Sequence, residues 1–150
     1  MKKMVVVLIS MVLLQCKSNV NQSNINNLDE MLIAKGNLYG AGAEGIKKQN
    51  EIITNTEEWS SLMSKMDTVN KVSEEFSETD IDFSEYSIIA VFDEVRNSGG
   101  HGLDLEIIRN SEDIVIEVIY DGPEGNATMV MTQPFYIAKI KKQDLPITFK

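Results

Sequence analysis

The sequence predicts an α+β fold: mainly antiparallel β-sheet, sandwich-like or strongly twisted, with one packed amphipathic helix. Three observations lead there. Trp59, Leu62, Met63 and Met66 recur at i, i+3, i+4 and i+7, a single apolar stripe at helical spacing. Ser87 to Val95 is a nearly continuous apolar run, while Leu103, Leu105 and Ile107 alternate with Asp104 and Glu106 at a period of two. Turn clusters then separate further apolar segments with no second helical stripe among them. A run of strands with one segregated helix makes an antiparallel α+β domain.

The first segment of the 150-residue chain does not belong to that domain. Lys2 and Lys3 precede an apolar run from Met4 to Leu14, broken only by Ser10, which ends at Gln15-Cys16. A basic start and a short apolar stretch read as a bacterial export signal. The stretch is too short for a bilayer span, which takes roughly 20 apolar residues. The single cysteine of the chain stands where a lipoprotein signal places its acylated residue, although Gln15 replaces the small residue usual before it. A free exposed thiol is an unusual choice for an exported protein, which favours lipidation over a plain cleaved signal. Residues 1–15 are therefore expected to be a lipoprotein signal peptide, with Cys16 the lipidated mature N-terminus. Residues 16–30, rich in Asn and Ser, are expected to be a flexible tether, and 31–150 the folded domain. No acidic run follows Cys16, so attachment is expected at the outer membrane of the cell envelope, facing the periplasm. Loss of Lys2 and Lys3 leaves 12 basic against 23 acidic residues, a net charge of −11. Such an excess argues against nucleic acid and anionic lipid as partners.

Within the domain, Met31 to Tyr39 is expected to hold a short strand. Gly40 to Gly45, GAGAEG, matches G-x-G-x-x-G literally, but a dinucleotide site needs a helix opening inside the motif. The residues that follow, with Ile52, Ile53 and Thr54, favour a strand instead, so the motif reads as a turn. The helix starts near Thr54–Thr56, where Thr54 with Glu57 or Asn55 with Glu58 offers a capping box. Ser73 to Glu85 carries six acids. Asp80 and Asp82 lack the spaced ligand loop of a calcium site, and the segment reads as a solvated connection. After the buried strand over Ser87–Val95, the alternating strand at Leu103–Ile107 pairs with Ile114–Tyr120 across Asn110–Asp113 as a hairpin. Met129 to Ile140 is the last strand. Proline lacks the ladder donor, so Pro134 places that strand at an edge or at a bulge. Trp59, Leu62 and Met66 are expected to pack on a sheet containing Ile88, Ala90, Phe92, Leu105, Ile107, Ile116 and Val118.

Chemistry is scarce in this composition. His101 is the only histidine, so nucleophilic catalysis has one possible base and zinc has too few ligands. A carboxylate pair for glycoside hydrolysis is present in number but marked by no spacing. The chain is therefore read as non-catalytic and without a cofactor. The alternatives are a small hydrolase using His101, or an inhibitor or ligand-binding module acting through the SGGHG and DGPEGNA loops. Gly99, Gly100 and Gly102 surround His101 just before the alternating strand, which suits a hairpin entry.

Taken in order, YGAGAEGIKKQNEIITNTEEW, DFSEYSIIAVF, SGGHGLDLEI and TQPFYIAKIKK resemble the landmarks of the PrcB C-terminal domain family, over about Tyr39 to Lys142. That family comprises accessory subunits of secreted protease complexes. Ser98-Gly99-Gly100-His101 fits its central signature, while Gly102 stands where a larger polar residue is usual. The resemblance implies an exported or lipid-anchored protein that binds and stabilises a protein partner in the envelope, in the name-giving case a secreted protease. Ser98, Gly99, Gly100 and His101 are expected to form the partner surface together with Pro134, Phe135 and Tyr136. One of the two aromatic residues would be the anchor, since aromatic side chains dominate interfaces.

Overall fold

A computed structural model describes residues 30–150. The leader expected over 1–15, Cys16, and all of the tether but Glu30 lie outside the described residues. Seven strands and one α-helix follow in the order β1 (Met31–Leu38), β2 (Gln49–Ile53), α1 (Thr56–Met66), β3 (Tyr86–Phe92), β4 (Gly102–Arg109), β5 (Ile114–Asp121), β6 (Gln133–Lys141) and β7 (Ile147–Phe149), with a 3₁₀ turn over Val72–Glu75. They build two sheets. One is fully antiparallel in the order β1-β6-β3-β2, and the other has the order β4-β5-β7, with β7 parallel to β5. The fold is thus α+β and dominated by antiparallel sheet.

The four-stranded sheet is the middle layer. On one face Ile88, Ala90 and Phe92 of β3 meet Trp59, Leu62 and Met66 of α1. On the other, Ile89 and Val91 meet Leu103, Ile107, Ile114 and Ile116 of the second sheet. This explains the unbroken apolar run in β3, because a strand covered on both faces has no position left for water. It also corrects one expectation. Leu105, Ile107, Ile116 and Val118 do not receive the helix; they belong to the opposite core, a full sheet thickness away.

Local signals set the helix as read. Asn55 is the N-cap, and its side chain accepts the Glu58 N–H at 2.9 Å. Glu57 and Glu58 lie in the first turn and Lys65 in the last, the arrangement that the helix dipole favours. GAGAEG forms a turn closed by Ala43 N–H on the Gly40 carbonyl, with the Gly40 N–H on the Glu44 carboxylate at 2.9 Å. No helix opens there, in agreement with the turn reading.

Pro134 overturns the expected edge. β6 lies inside the sheet, between β1 and β3, and starts at Gln133, not Met129. Asp93 N–H bonds the Pro134 carbonyl at 3.0 Å, half of a reciprocal antiparallel pair. The missing half would run from the proline nitrogen to the Asp93 carbonyl. Gln133 Nε2 takes that carbonyl at 2.9 Å and the Ile46 carbonyl also at 2.9 Å. A buried side-chain amide thus replaces the donor that proline lacks, which is how proline sits in an interior strand. β7 carried no sequence signal: it is three residues long, follows Pro146, and exists through its pairing with Ile114–Ile116.

Two stability outcomes follow. Trp59 is 1% exposed, donates its indole N–H to the Thr79 carbonyl at 2.8 Å and stacks on Phe76 at 5.9 Å. Trp59→Ala is expected to cost about 3–5 kcal/mol in urea titration, the range for emptying an aromatic core site. Gln133→Leu strands two buried carbonyls and is expected to cost about 2–4 kcal/mol, each orphaned group being worth roughly 1–3 kcal/mol. A Gln133→Leu protein with the parent's urea midpoint would mean that water fills in for the amide.

Candidate functional site

Residues 93–101, leaving β3 for β4, and residues 121–132, leaving β5 for β6, run side by side at one end of the middle sheet. Arg96 and Thr132 exchange backbone bonds at 2.7 and 3.0 Å, Gly99 N–H bonds the Thr128 carbonyl at 3.0 Å, and the Thr132 hydroxyl bonds the Ser98 carbonyl at 2.9 Å. The SGGHG and DGPEGNA loops therefore do meet. Contact is tight at the glycine pair. A Cβ on Gly99 would lie 2.4 Å from Thr128 Oγ1, and one on Gly100 would lie 3.0 Å from Pro123 Cβ. Gly100 also holds φ at +83°, in the left-handed region that a Cβ resists.

His101 is half-buried at the loop's end. Its Nε2 lies 3.1 Å from Ser98 Oγ, and its carbonyl accepts Asn37 Nδ2 at 3.2 Å. A serine hydroxyl beside an imidazole is the first contact of a nucleophile–base pair. Among the described residues, no carboxylate bonds the other ring nitrogen to orient it, as a triad requires.

Pro134, Phe135 and Tyr136 do not join this surface. All three are buried in β6. Phe135 stacks on Phe92 at 6.2 Å in the helix-side core, and Tyr136 lies in the core between the sheets, donating its hydroxyl to Glu30 at 2.7 Å. The structure corrects their expected place on an exposed partner surface: an interior strand turns both aromatic rings into the protein's own cores.

The exposed apolar residues at this end are ones the sequence did not mark. Met129 is fully exposed, with Val130 and Met131 beside it at 38% and 44% exposure. Val130 reaches the glycine pair, since a Cβ on Gly99 would lie 3.1 Å from its Cγ1. The sequence reading places Met129 to Met131 in the last strand, whereas β6 begins at Gln133 and these residues precede it.

Beneath the loops lies an ion cluster. Asp93 is buried, with Arg96 Nη2 and Nε at 2.6 and 2.7 Å from Oδ2 and Lys48 Nζ at 3.1 Å from Oδ1. Lys48 also stands 4.4 Å over the Tyr120 ring. Burial pushes the Asp93 carboxyl up, but bonds from Arg96, the Glu94 backbone and Lys48 outweigh it and hold the group below the ordinary value. The cluster ties 93–96 to the start of β2 and to β5. Elsewhere, Asp82 is engaged locally by the Ser84 hydroxyl and N–H. Among the described residues, no group of three or more His, Cys, Asp or Glu side chains is placed to hold a metal ion. No described helix is long and apolar enough to cross a membrane.

A depressed carboxyl stabilises the fold above its unfolded value, and that contribution is lost as pH falls through the folded one. Asp93→Asn is therefore expected to lower stability at pH 7 and to flatten the loss of stability below about pH 4, the unfolded carboxylate range. Thermal melts of both proteins between pH 2 and 7, about the span over which carboxylates titrate, check this; parallel curves would remove Asp93 from the account. No protein-family model, curated protein or solved structure matches the chain.

Proposed function

We propose that this chain is an exported, lipid-anchored, non-catalytic interaction protein of the bacterial cell envelope. In this reading it resembles accessory subunits that bind and stabilise a partner protein, such as a secreted protease. Cys16 is the anchor, and the partner surface is the end of the molecule where Ser98–His101 meets 121–132. One observation carries the reading: Met129, Val130 and Met131 stand exposed on the loop that packs against Gly99 and Gly100. Methionine is flexible and polarisable and suits surfaces that adapt to a partner. The glycine pair holds the neighbouring loop close, so the apolar group rests on a braced support. Phe135 and Tyr136 leave the proposed surface, and Met129 and Met131 replace them.

The test places a photo-crosslinking side chain at position 129 in the native envelope. A discrete adduct is expected, and Met131→Asp combined with Gly100→Val should abolish it in protein that is still folded. Adducts spread over many proteins, or unchanged in the variant, would remove this surface. Intact mass and detergent partitioning test the anchor, with an acylated chain beginning at Cys16 as the expected result.

Hydrolysis has one contact in its favour, Ser98 Oγ at 3.1 Å from His101 Nε2. Labelling with a fluorophosphonate separates the readings. The interaction protein is expected to stay unlabelled, whereas a catalytic pair would label at Ser98 and lose about 10²–10⁴ in rate in His101→Ala.

A further inference from the structure

We propose that the outer edge of β1 is a strand-docking site for an extended peptide of a partner protein, one carrying an apolar residue beside a lysine or arginine. This goes beyond the loop surface and uses a different part of the molecule. In an antiparallel ladder each residue turns its N–H and C=O to one neighbour, and successive residues alternate. Pro134 turns its carbonyl to Asp93, away from β1, so Asn37 opposite it directs its own backbone groups outward. By the same alternation Gly36 and Ala34 bond inward to Phe135 and Ile137, and Lys35, opposite Tyr136, points outward. The bulge at Ile33 shifts the alternation by one residue, so that Leu32, opposite Ala138, also directs its backbone groups outward. There the Leu32 carbonyl accepts the Ser77 hydroxyl at 3.1 Å on the outer side, and the Ile33 carbonyl accepts the Ser77 N–H at 3.1 Å. Ser77 thus covers the edge at Leu32 and Ile33. Among the described residues, nothing pairs with the N–H and C=O of Lys35 or of Asn37.

A cleft of about 460 Å³ lies directly beside these groups. Ala34, Gly36, Phe135, Val72 and Phe76 are among the residues that line it. Gly36 contributes no side chain, and a Cβ there would lie 3.7 Å from Cε1 of the Phe135 ring, which is itself 4% exposed. Unpaired edge groups are a template for another strand, and alternate side chains of an added strand enter pockets beside it. Val72 and Phe76 offer apolar surface in the cleft to a side chain of such an added strand. Charge narrows its chemistry. Lys35 is taken by Asp104 at 2.7 Å and Lys71 by Glu74 at 3.0 Å, leaving Glu75 the one lining charge without a cationic partner among the described residues. A lysine or arginine next to the apolar side chain of the peptide complements it.

The experiment uses the full chain and a synthetic acetylated peptide of about nine residues, strand length, alternating Thr and Val around a central Leu-Lys. Its controls are the Leu-Glu counterpart and a form N-methylated on the central amides. The Leu-Lys peptide is expected to slow amide hydrogen exchange at Lys35 and Asn37 by about tenfold or more, the Leu-Glu peptide less, and the methylated peptide not at all. Lys35→Pro removes an outward donor but no ladder bond, a position where an edge strand accepts proline, and should weaken binding about tenfold. Gly36→Val, whose Cβ meets Phe135 Cε1 at 3.7 Å, should fill the cleft and do the same. Equal binding of the methylated peptide, full binding by Lys35→Pro, or no slowing at either amide overturns the proposal. If Lys35→Pro fails to fold, the exchange comparison on the parent protein decides. Protection already present in the free chain also overturns it, in favour of a second copy if it rises with concentration and of another segment of this chain if it does not. Met131→Asp should leave peptide binding unchanged, so this proposal and the loop surface fail separately.

Discussion

A middle sheet covered on both faces is the constraint on which the rest of this structure depends. β3 and β6 lie side by side at its centre, with α1 on one face and the three-stranded sheet on the other. Every residue from Ser87 to Phe92 is buried as a result. Such a strand has no solvent side, so each position must be apolar or have its polar groups satisfied inside the protein. The two cores share only this sheet.

The same constraint explains the polar chemistry at the end of the sheet. Where β3 stops after Phe92, the ladder would fail at Pro134, and the site is too buried for bulk water to take over. Gln133 supplies the missing donor, and Asp93, with no solvent of its own, is held by Arg96 and Lys48. A buried carboxylate left without partners costs several kcal/mol, so these cations are a condition of burying it. They also fix where the chain leaves the sheet. That in turn sets the start of the loop carrying Ser98 to His101 and the position of the Met129–Met131 connection beside it.

Two groups of exposed apolar side chains fall at the margins of this framework. One group lies on the connection into β6, whose residues before Gln133 pass outside both cores. Another lies along β1, where Leu32 and Tyr39 are exposed beside an incompletely paired edge. Both places are where two-sided coverage ends. The middle sheet is covered on both faces, and its strand order leaves β1 and β2 as its edges.

Local signals were legible where the physics is local. The helix start near Thr54–Thr56, the helical stripe from Trp59 to Met66, the alternation of Leu103, Leu105 and Ile107, and the turn at Gly40–Gly45 each depend on neighbours within a few residues and stand in the structure as read. Of the two candidate caps the structure takes Asn55. The meeting of the SGGHG and DGPEGNA loops was legible for the same reason, since both connections flank one hairpin. Strand order is not local. Nothing in TQPFYIAKI distinguishes an edge strand from an interior one, because the donor that rescues Pro134 is a side chain whose acceptors, Ile46 and Asp93, lie 87 and 40 residues away. The division of apolar residues between two cores, the three-residue β7, the burial of Phe135 and Tyr136 and the exposure of Met129 were likewise decided by tertiary structure. A period of two tells which residues share a face, but only the packing of distant segments determines what covers that face.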